Sequence, residues 1–496
     1  MKLIIEGDIN SYYLQTLCML FFPRAKFSNT ESIGPETPVA IVKVSSDENT
    51  AYAEASLSMG GRTVLKYHSE NFSPDVPKKN TLSISASKAF FDAATEFCSY
   101  TPPWGILTGV RPTKLAYELI KSGMTKDQTV KSLRSEYLMF PRKAILATDI
   151  ARVESKIIRN YTDRDCSVYI SIPFCPSRCA YCSFISYATK KFLSLIPDYL
   201  VAMKREIGLI SGLIKSLGMN VVTVYVGGGT PTVLDERQLE DLLDYVSSVF
   251  DVPSLHEFTV EAGRADTISA EKLKICKDHG VTRVSVNPQS LSDDILQRVG
   301  RMHTVKQFYD AYDLALASGI RYINTDLIIG LPGDDFNTYS KTIENIVKLS
   351  PENITAHTFA AKKSSEITVS GSELFTEDYK ELAKCVDYTQ IITKSAGYIP
   401  YYMYRQKNSA GNLENVGFCK KGAECIYNIL MMEEVHTIFA AGAGAVTKFT
   451  KDAGGSIQRV FNPKYPYEYL SKSREEEYSK LKQQAYGFFG APADNC

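Results

Sequence analysis

Three cysteines stand together in IPFCPSRCAYCSF: Cys175, Cys179 and Cys182, spaced C-x3-C-x2-C. Thiolates are metal ligands. Three of them can hold three irons of a four-iron cluster and leave the fourth iron open. An open iron is a place for chemistry, whereas a cluster that only carries electrons is normally closed by a fourth ligand. The rival is a zinc site, which takes four ligands, often as paired C-x2-C. The nearest spare thiol is Cys166, nine residues upstream and on the far side of a strand that points it away. No histidine lies between Tyr161 and Leu255. Pro173, Pro176 and Arg178 around the thiols also argue against three unrelated core cysteines.

The elements that must position this loop show a regular rhythm. Short apolar, β-branched runs occur at Ser167–Ile172, Val221–Val226, Glu257–Ala262, Arg283–Val286, Ile323–Ile328 and Asn353–Phe359. Helical patterns separate them, as in ERQLEDLLDYVSSVF. Strands alternating with helices imply a parallel sheet wrapped by helices. Six repeats fall short of the eight of a closed barrel, so an incomplete (β/α)6 barrel is expected, with an open doubly wound sheet as the alternative. Residues 1–160 are read as an α+β domain with strands at Val39–Val44, Arg62–His68 and Thr81–Ala86, and a helix opening after Pro112. Residues 161–365 form the partial barrel. Residues 366–496 lose the rhythm and are read as a separate, smaller C-terminal domain.

The cysteine loop resembles the signature of the radical S-adenosylmethionine (SAM) enzymes. That resemblance implies a [4Fe–4S] cluster on the three cysteines and SAM chelating the open iron through its amino and carboxylate groups. Reductive cleavage of SAM then gives a 5′-deoxyadenosyl radical that abstracts hydrogen. In βα barrels, ligand groups gather at the C-terminal ends of the strands. The second run ends in GGGTPT, whose glycines allow close backbone approach to the methionine end of SAM. The third ends at Glu261, followed by Gly263 and Arg264; the fourth leads to Gln289, then to Arg301 and His303 in GRMHT. The fifth carries Asp326 and the sixth leads to Ala360. Tyr169 lies in the first run and Tyr181 between the last two cysteines. Each has a plainer reading, as a loop carboxylate, a capping amide or a core tyrosine.

The set YISIPFC–C–YCSF, GGGTPT, Glu261, NPQS, GRMHT and TDLIIGLPG resembles the oxygen-independent coproporphyrinogen III oxidase (coproporphyrinogen dehydrogenase) family over about residues 165–365. TGVRPTK and YRQKN–GNLENVGF–YN resemble its HemZ-type branch. The resemblance implies anaerobic oxidative decarboxylation of two propionates of coproporphyrinogen III to vinyl groups, giving protoporphyrinogen IX in porphyrin and haem biosynthesis. It implies two SAM per turnover and a reducing partner such as flavodoxin or ferredoxin. Carried over, Cys175, Cys179 and Cys182 hold the cluster. Tyr169, Tyr181, Gly228, Gly229, Thr230, Glu261, Gln289, Arg301, Asp326 and Ala360 line the SAM sites. Where the best-studied branch has a fourth cysteine, this chain has Phe184, as does a haem-chaperone branch. That branch carries a His-Asn stretch followed by Tyr-Trp near its C-terminal domain; here the only tryptophan is Trp104 and the last histidine is His436. A further branch methylates haem by radical chemistry on the same barrel.

A tetrapyrrole with four propionates asks for placed cations. Candidates are Arg111, Lys114, Arg264, Lys362, Lys363, Arg405 and Lys407; Arg111 and Arg405 stand out among Gly, Pro and aromatic neighbours and are read, with Tyr169, as catalytic candidates. Lys+Arg and Asp+Glu both number 56 in a chain of 496, so the net charge is zero. A nucleic-acid backbone binder usually carries a basic excess, and none is expected here. Eleven cysteines in so long a chain are too sparse for a disulfide scaffold. The apolar start MKLIIEGD ends too soon for a signal core, and no run reaches the roughly 20 residues of a membrane span. A cytoplasmic location follows as the expectation.

Overall fold

The computed structural model describes residues 1–490 apart from 24, 28–33, 75, 110, 183–186, 361–378 and 407–412. Phe184, Lys362, Lys363, Lys407 and Cys496 lie outside the described residues. The chain forms two compact units, Met1–Arg152 and Val153–Cys496.

In the first unit, strands β1 (Lys2–Glu6), β2 (Val39–Ser46), β3 (Thr50–Met59) and β4 (Arg62–Asn71) make a sheet in that order. β1 runs parallel to β2; β2, β3 and β4 are antiparallel. Helices Ser11–Phe21 and Lys78–Cys98 supply Leu14, Leu17, Phe90 and Phe97 to a core shared with Ala40, Val42, Ala53 and Leu57. The strand expected at Thr81–Ala86 is instead part of the Lys78–Cys98 helix. The apolar–serine alternation of TLSISA imitates a strand over six residues. The longer run wins, because Ala86, Ala89, Phe90, Ala93, Ala94 and Phe97 recur every three or four residues and are all buried. Sequence reading missed β3, whose buried face is mostly alanine, a weak strand former.

The second unit contains β5 (Asp165–Ile172), β6 (Asn220–Gly228), β7 (Glu257–Glu261), β8 (Arg283–Ser285), β9 (Tyr322–Ile329) and β10 (Asn353–Thr358). Neighbours in this series pair in parallel, in chain order and without reversal. Helices such as Ile196–Ser216, Glu236–Val249 and Phe336–Leu349 cross between them. Leu239, Leu242, Leu243 and Val246 make the buried stripe of the second of these, and an Asp235–Gln238 capping box starts it. This is the partial barrel; its sheet does not close.

The tail differs from the separate domain expected at 366–496. It adds β11 (Ile399–Arg405), β12 (Glu414–Cys419), β13 (Thr437–Ala441), β14 (Val446–Lys451) and β15 (Ser456–Phe461) to the same sheet. β12 pairs with β10 at one edge, and β13 pairs with β5 at the other. An open parallel sheet leaves unpaired N–H and C=O groups at both edges, and the tail satisfies both. The division of the chain falls once, inside the helix Pro141–Ile158, instead of at residues 160 and 365.

At the strand starts, Arg283 is 1% exposed and donates to Glu257 (3.1 Å), Asn324 (2.7 Å) and the Ala423 carbonyl (3.0 Å). Glu257 in turn accepts from the backbone N–H of Ile426 (3.0 Å) and Tyr427 (3.2 Å), where the helix Ile426–Glu433 begins. A buried carboxylate at a helix start is favoured by the helix dipole. This network closes the end of the barrel opposite the cysteine loop.

Candidate iron–sulfur and SAM site

β5 ends at Ile172 and releases the chain into the cysteine loop. The loop is fastened by backbone bonds: Cys175 N–H to Tyr187 (3.2 Å), Tyr187 N–H to Pro173 (2.9 Å) and Ala180 N–H to Val299 (2.9 Å). Cys175 and Cys179 are buried, Cys182 half-buried, and none is in a disulfide.

The end of β6 lies directly against this loop. Gly229 N–H donates to Ile172 (2.8 Å) and Thr230 N–H to Phe174 (2.9 Å). A Cβ on Gly229 would meet the Phe174 carbonyl at 2.4 Å and the Cys175 sulfur at 3.0 Å, so only glycine fits there. Gly228 has φ of 112°, a conformation L side chains rarely adopt. The Thr230 hydroxyl stands 3.5 Å from the Cys175 sulfur.

Next along the sheet, Glu261 closes β7. It accepts from the Tyr225 hydroxyl at 2.6 Å. Burial lifts its carboxyl from the ordinary 4.5 to about 7, the Tyr225 bond opposes that, and the charge of Asp326 adds to it. On β9, Asp326 is held by Asn287, which donates from Nδ2 (2.9 Å) and accepts the Asp326 N–H on Oδ1 (3.1 Å). Gln289 follows two residues later with φ of 65°, a left-handed conformation unusual for a side-chain-bearing residue. It is locked there by its N–H to the Asp326 carbonyl (3.1 Å) and its own carbonyl to Ile328 N–H (3.0 Å). Its Oε1 is buried and accepts no hydrogen bond from the described residues.

Arg301 is buried and binds the Tyr181 hydroxyl (2.9 Å) and the carbonyls of Gly263 and Asn287 (both 2.6 Å). It thereby ties the loop to the ends of β7 and β8. His303 beside it is buried, and desolvation followed by the Arg301 charge pulls it down to about 3, so its ring is neutral. Burial pushes the Tyr181 hydroxyl up, which keeps it a donor-bearing phenol. Tyr169 stacks on Tyr225 (6.1 Å) and Tyr427 (6.3 Å), and burial raises its hydroxyl as well. Ala360, just past β10, is buried next to Phe359, whose N–H bonds Ile329 (2.9 Å).

The structure therefore gathers Cys175, Cys179, Cys182, Tyr181, Gly228, Gly229, Thr230 and Arg301 about the loop. Glu261 ends β7, Gln289 lies in the turn after β8, and Asp326 stands within β9 beside them. Arg405 is buried at the end of β11, opposite Glu414 in the strand pairing. Arg111 belongs to the first unit, just before the helix Pro112–Lys121. Arg264, read from the sequence as a cation for substrate, is only 3% exposed and turns to the cysteine loop instead. Sequence reading missed Tyr225, Asn287 and Asp266, the last of which accepts from Arg264 Nη2 at 2.8 Å. Tyr225 was findable: it pairs with Tyr169 in the parallel register, two residues before GGG.

A partial (β/α)6 barrel with a three-thiol loop after its first strand defines the class. Residues 169–346 match the Radical SAM superfamily. The oxygen-independent coproporphyrinogen-III oxidase-like protein HemZ of Bacillus subtilis is 36% identical over 492 residues, 97% of each chain. The heme chaperone HemW of the same organism is 38% identical over 192 residues, 38% of this chain and 49% of that one. The solved structure of Escherichia coli coproporphyrinogen III oxidase (HemN), a radical SAM enzyme, aligns with a TM-score of 0.52 at 20% identity, covering 66% of this chain and 73% of that one. The chain belongs to the radical SAM superfamily and, within it, to the oxygen-independent coproporphyrinogen III oxidase family, in the HemZ branch.

The cofactors of this family are a [4Fe–4S] cluster and SAM. The donor set fits them. Among the described residues no three His, Cys, Asp or Glu side chains stand ready around a single metal ion. A four-iron cluster spreads its thiolates over three irons, a wider spacing than one ion imposes. The space a Gly229 Cβ would fill lies over the Cys175 sulfur. Two neighbouring carboxylates, Glu261 and Asp326, and the unpartnered Gln289 oxygen suit the cationic and hydroxyl-bearing groups of SAM. Among the described residues no helix is long and apolar enough to cross a membrane.

Proposed function

We propose that this protein carries out the oxygen-independent oxidative decarboxylation of coproporphyrinogen III to protoporphyrinogen IX. The observation that supports the reading is the convergence of Gly229, Arg301, Glu261 and the Asn287–Asp326 pair on a three-cysteine loop, in a chain similar to HemZ over nearly its whole length. Cys175, Cys179 and Cys182 hold the cluster. When bound, the cluster and SAM would supply a radical able to take hydrogen from a propionate β-carbon; loss of CO2 and transfer of one electron to an external one-electron acceptor would then complete the vinyl group.

The chain's own residues prepare that step. Gly228, Gly229 and Thr230 offer backbone groups to the methionine end of SAM. Glu261, oriented by Tyr225, and Asp326, oriented by Asn287, accept from its polar groups. Gln289 offers its free oxygen, Arg301 fixes Tyr181 beside the cluster, and Tyr169 and Ala360 bound the space. Arg405, at the end of β11 in the same unit, is the cation assigned to propionates. A reducing partner such as a flavodoxin or ferredoxin supplies electrons.

Similarity to heme chaperones along part of the chain favours a second reading, haem or tetrapyrrole binding on the same fold. One anaerobic assay separates the two. Reduced protein is given SAM and coproporphyrinogen III. Protoporphyrinogen IX formed together with 5′-deoxyadenosine carries the proposal. Tight haem binding with no turnover sinks it in favour of the chaperone.

A further inference from the structure

Arg264 opens the short turn after β7 and is only 3% exposed. A buried charge is costly unless it is paired. Its partner is Asp266, which accepts from Nε (3.0 Å) and Nη2 (2.8 Å) in a two-pronged pair. Nη1 faces the other way, to the Ser177 carbonyl inside the cysteine loop (3.0 Å) and to the Cys179 sulfur (3.8 Å). The turn that carries Arg264 is itself rigid: its carbonyl accepts from the Thr267 hydroxyl (2.8 Å), and Thr267 pairs with Thr232 (2.7 Å). The other buried guanidinium of the loop, Arg301, gives its Nη1 and Nη2 to Tyr181 and two carbonyls. Arg264 thus donates a hydrogen bond to a cysteine of the loop.

We propose that Arg264 is a positioning residue of the iron–sulfur site. It pins the loop through Ser177 and raises the cluster's reduction potential through Cys179, while Asp266 limits how much of its charge the cluster feels. The inference rests on the reading that Cys175, Cys179 and Cys182 hold the cluster. The physical reason is that net charge and hydrogen bonds to the sulfurs set cluster potentials. Reduction adds one electron, drawn from the external reductant, and makes or breaks no bond at these residues. A fixed positive charge at the thiolate stabilises the added negative charge.

The test is a potential, read without substrate or turnover. Wild type, Arg264→Gln, Arg264→Lys and Asp266→Asn are reconstituted anaerobically, and the reduced-cluster EPR signal is titrated against a dithionite-poised potential. Arg264→Gln is expected to lower the midpoint. Asp266→Asn is expected to raise it, because it removes a negative charge and leaves Arg264 uncompensated. Arg264→Lys keeps the charge and stays near wild type. Two unchanged midpoints, or shifts of Gln and Asn in the same direction, overturn the proposal, since a merely loosened loop has no reason to give opposite signs. If Arg264→Gln takes up no iron, Asp266→Asn decides alone: a raised midpoint supports the proposal and any other result overturns it. A wild-type chain that takes up no four-iron cluster sinks the site reading, and this inference with it.

Discussion

Gly229 sits where a methyl group has no room, 2.4 Å from the Phe174 carbonyl and 3.0 Å from the Cys175 sulfur as an ideal Cβ. Neither neighbour is the free end of a flexible chain, so the loop must shift. Overpacking of this kind costs about 1–3 kcal/mol. Gly229→Ala is therefore expected to lose iron several-fold after reconstitution while its circular dichroism stays that of wild type. Full iron content would remove the close-approach argument. Glu261 gives a second test at this scale. Its carboxyl is raised from 4.5 to about 7 by burial, so the folded state holds its proton where the unfolded state has lost it. Its contribution to stability is fully present below about pH 4.5 and is lost as pH rises through about 7. The cofactor-free protein should become less stable over that window, and Glu261→Gln should flatten the slope. The measurement is the thermal midpoint at a series of pH values, and an unchanged slope in the variant counts against the assignment.

Among the elements, the barrel strands carry chemistry at one end and structure at the other. The Arg283–Glu257 pair joins the starts of β7 and β8 to the helix Ile426–Glu433. Removing one partner of a buried pair leaves an uncompensated charge and costs about 3–5 kcal/mol. Arg283→Met is expected to lower the unfolding free energy by that much, read as a lower denaturant midpoint at an unchanged m value. A loss below about 1 kcal/mol would mean that the carboxylate is satisfied by the helix start alone.

For the whole molecule, the tail decides whether the sheet has free edges. β12 covers β10 and β13 covers β5. A chain ending at residue 398 leaves both edges bare, and unpaired edges template association. Such a truncation is expected to aggregate, seen by size exclusion with light scattering. A soluble monomer with native circular dichroism would show that the tail is a separable domain after all. The zero net charge also acts at this scale, since any attraction for an acidic substrate has to come from a few placed cations.

The sequence by itself determined the local matters: the three-thiol loop, the six strands of the barrel nearly to the residue, and the positions of Gly229, Glu261, Gln289 and Asp326 on or just after those strands. Each depends on spacing along the chain, and period and turn chemistry are written there directly. The tertiary structure decided what depends on neighbours distant in sequence. It turned TLSISA into a helix, because a longer buried stripe outweighs six alternating residues. It placed the tail at both sheet edges, because edge hydrogen bonds are a property of the assembled sheet. It also took Arg264 away from the substrate and gave it to the cysteine loop, because a buried guanidinium goes where carboxylate, carbonyl and sulfur already converge.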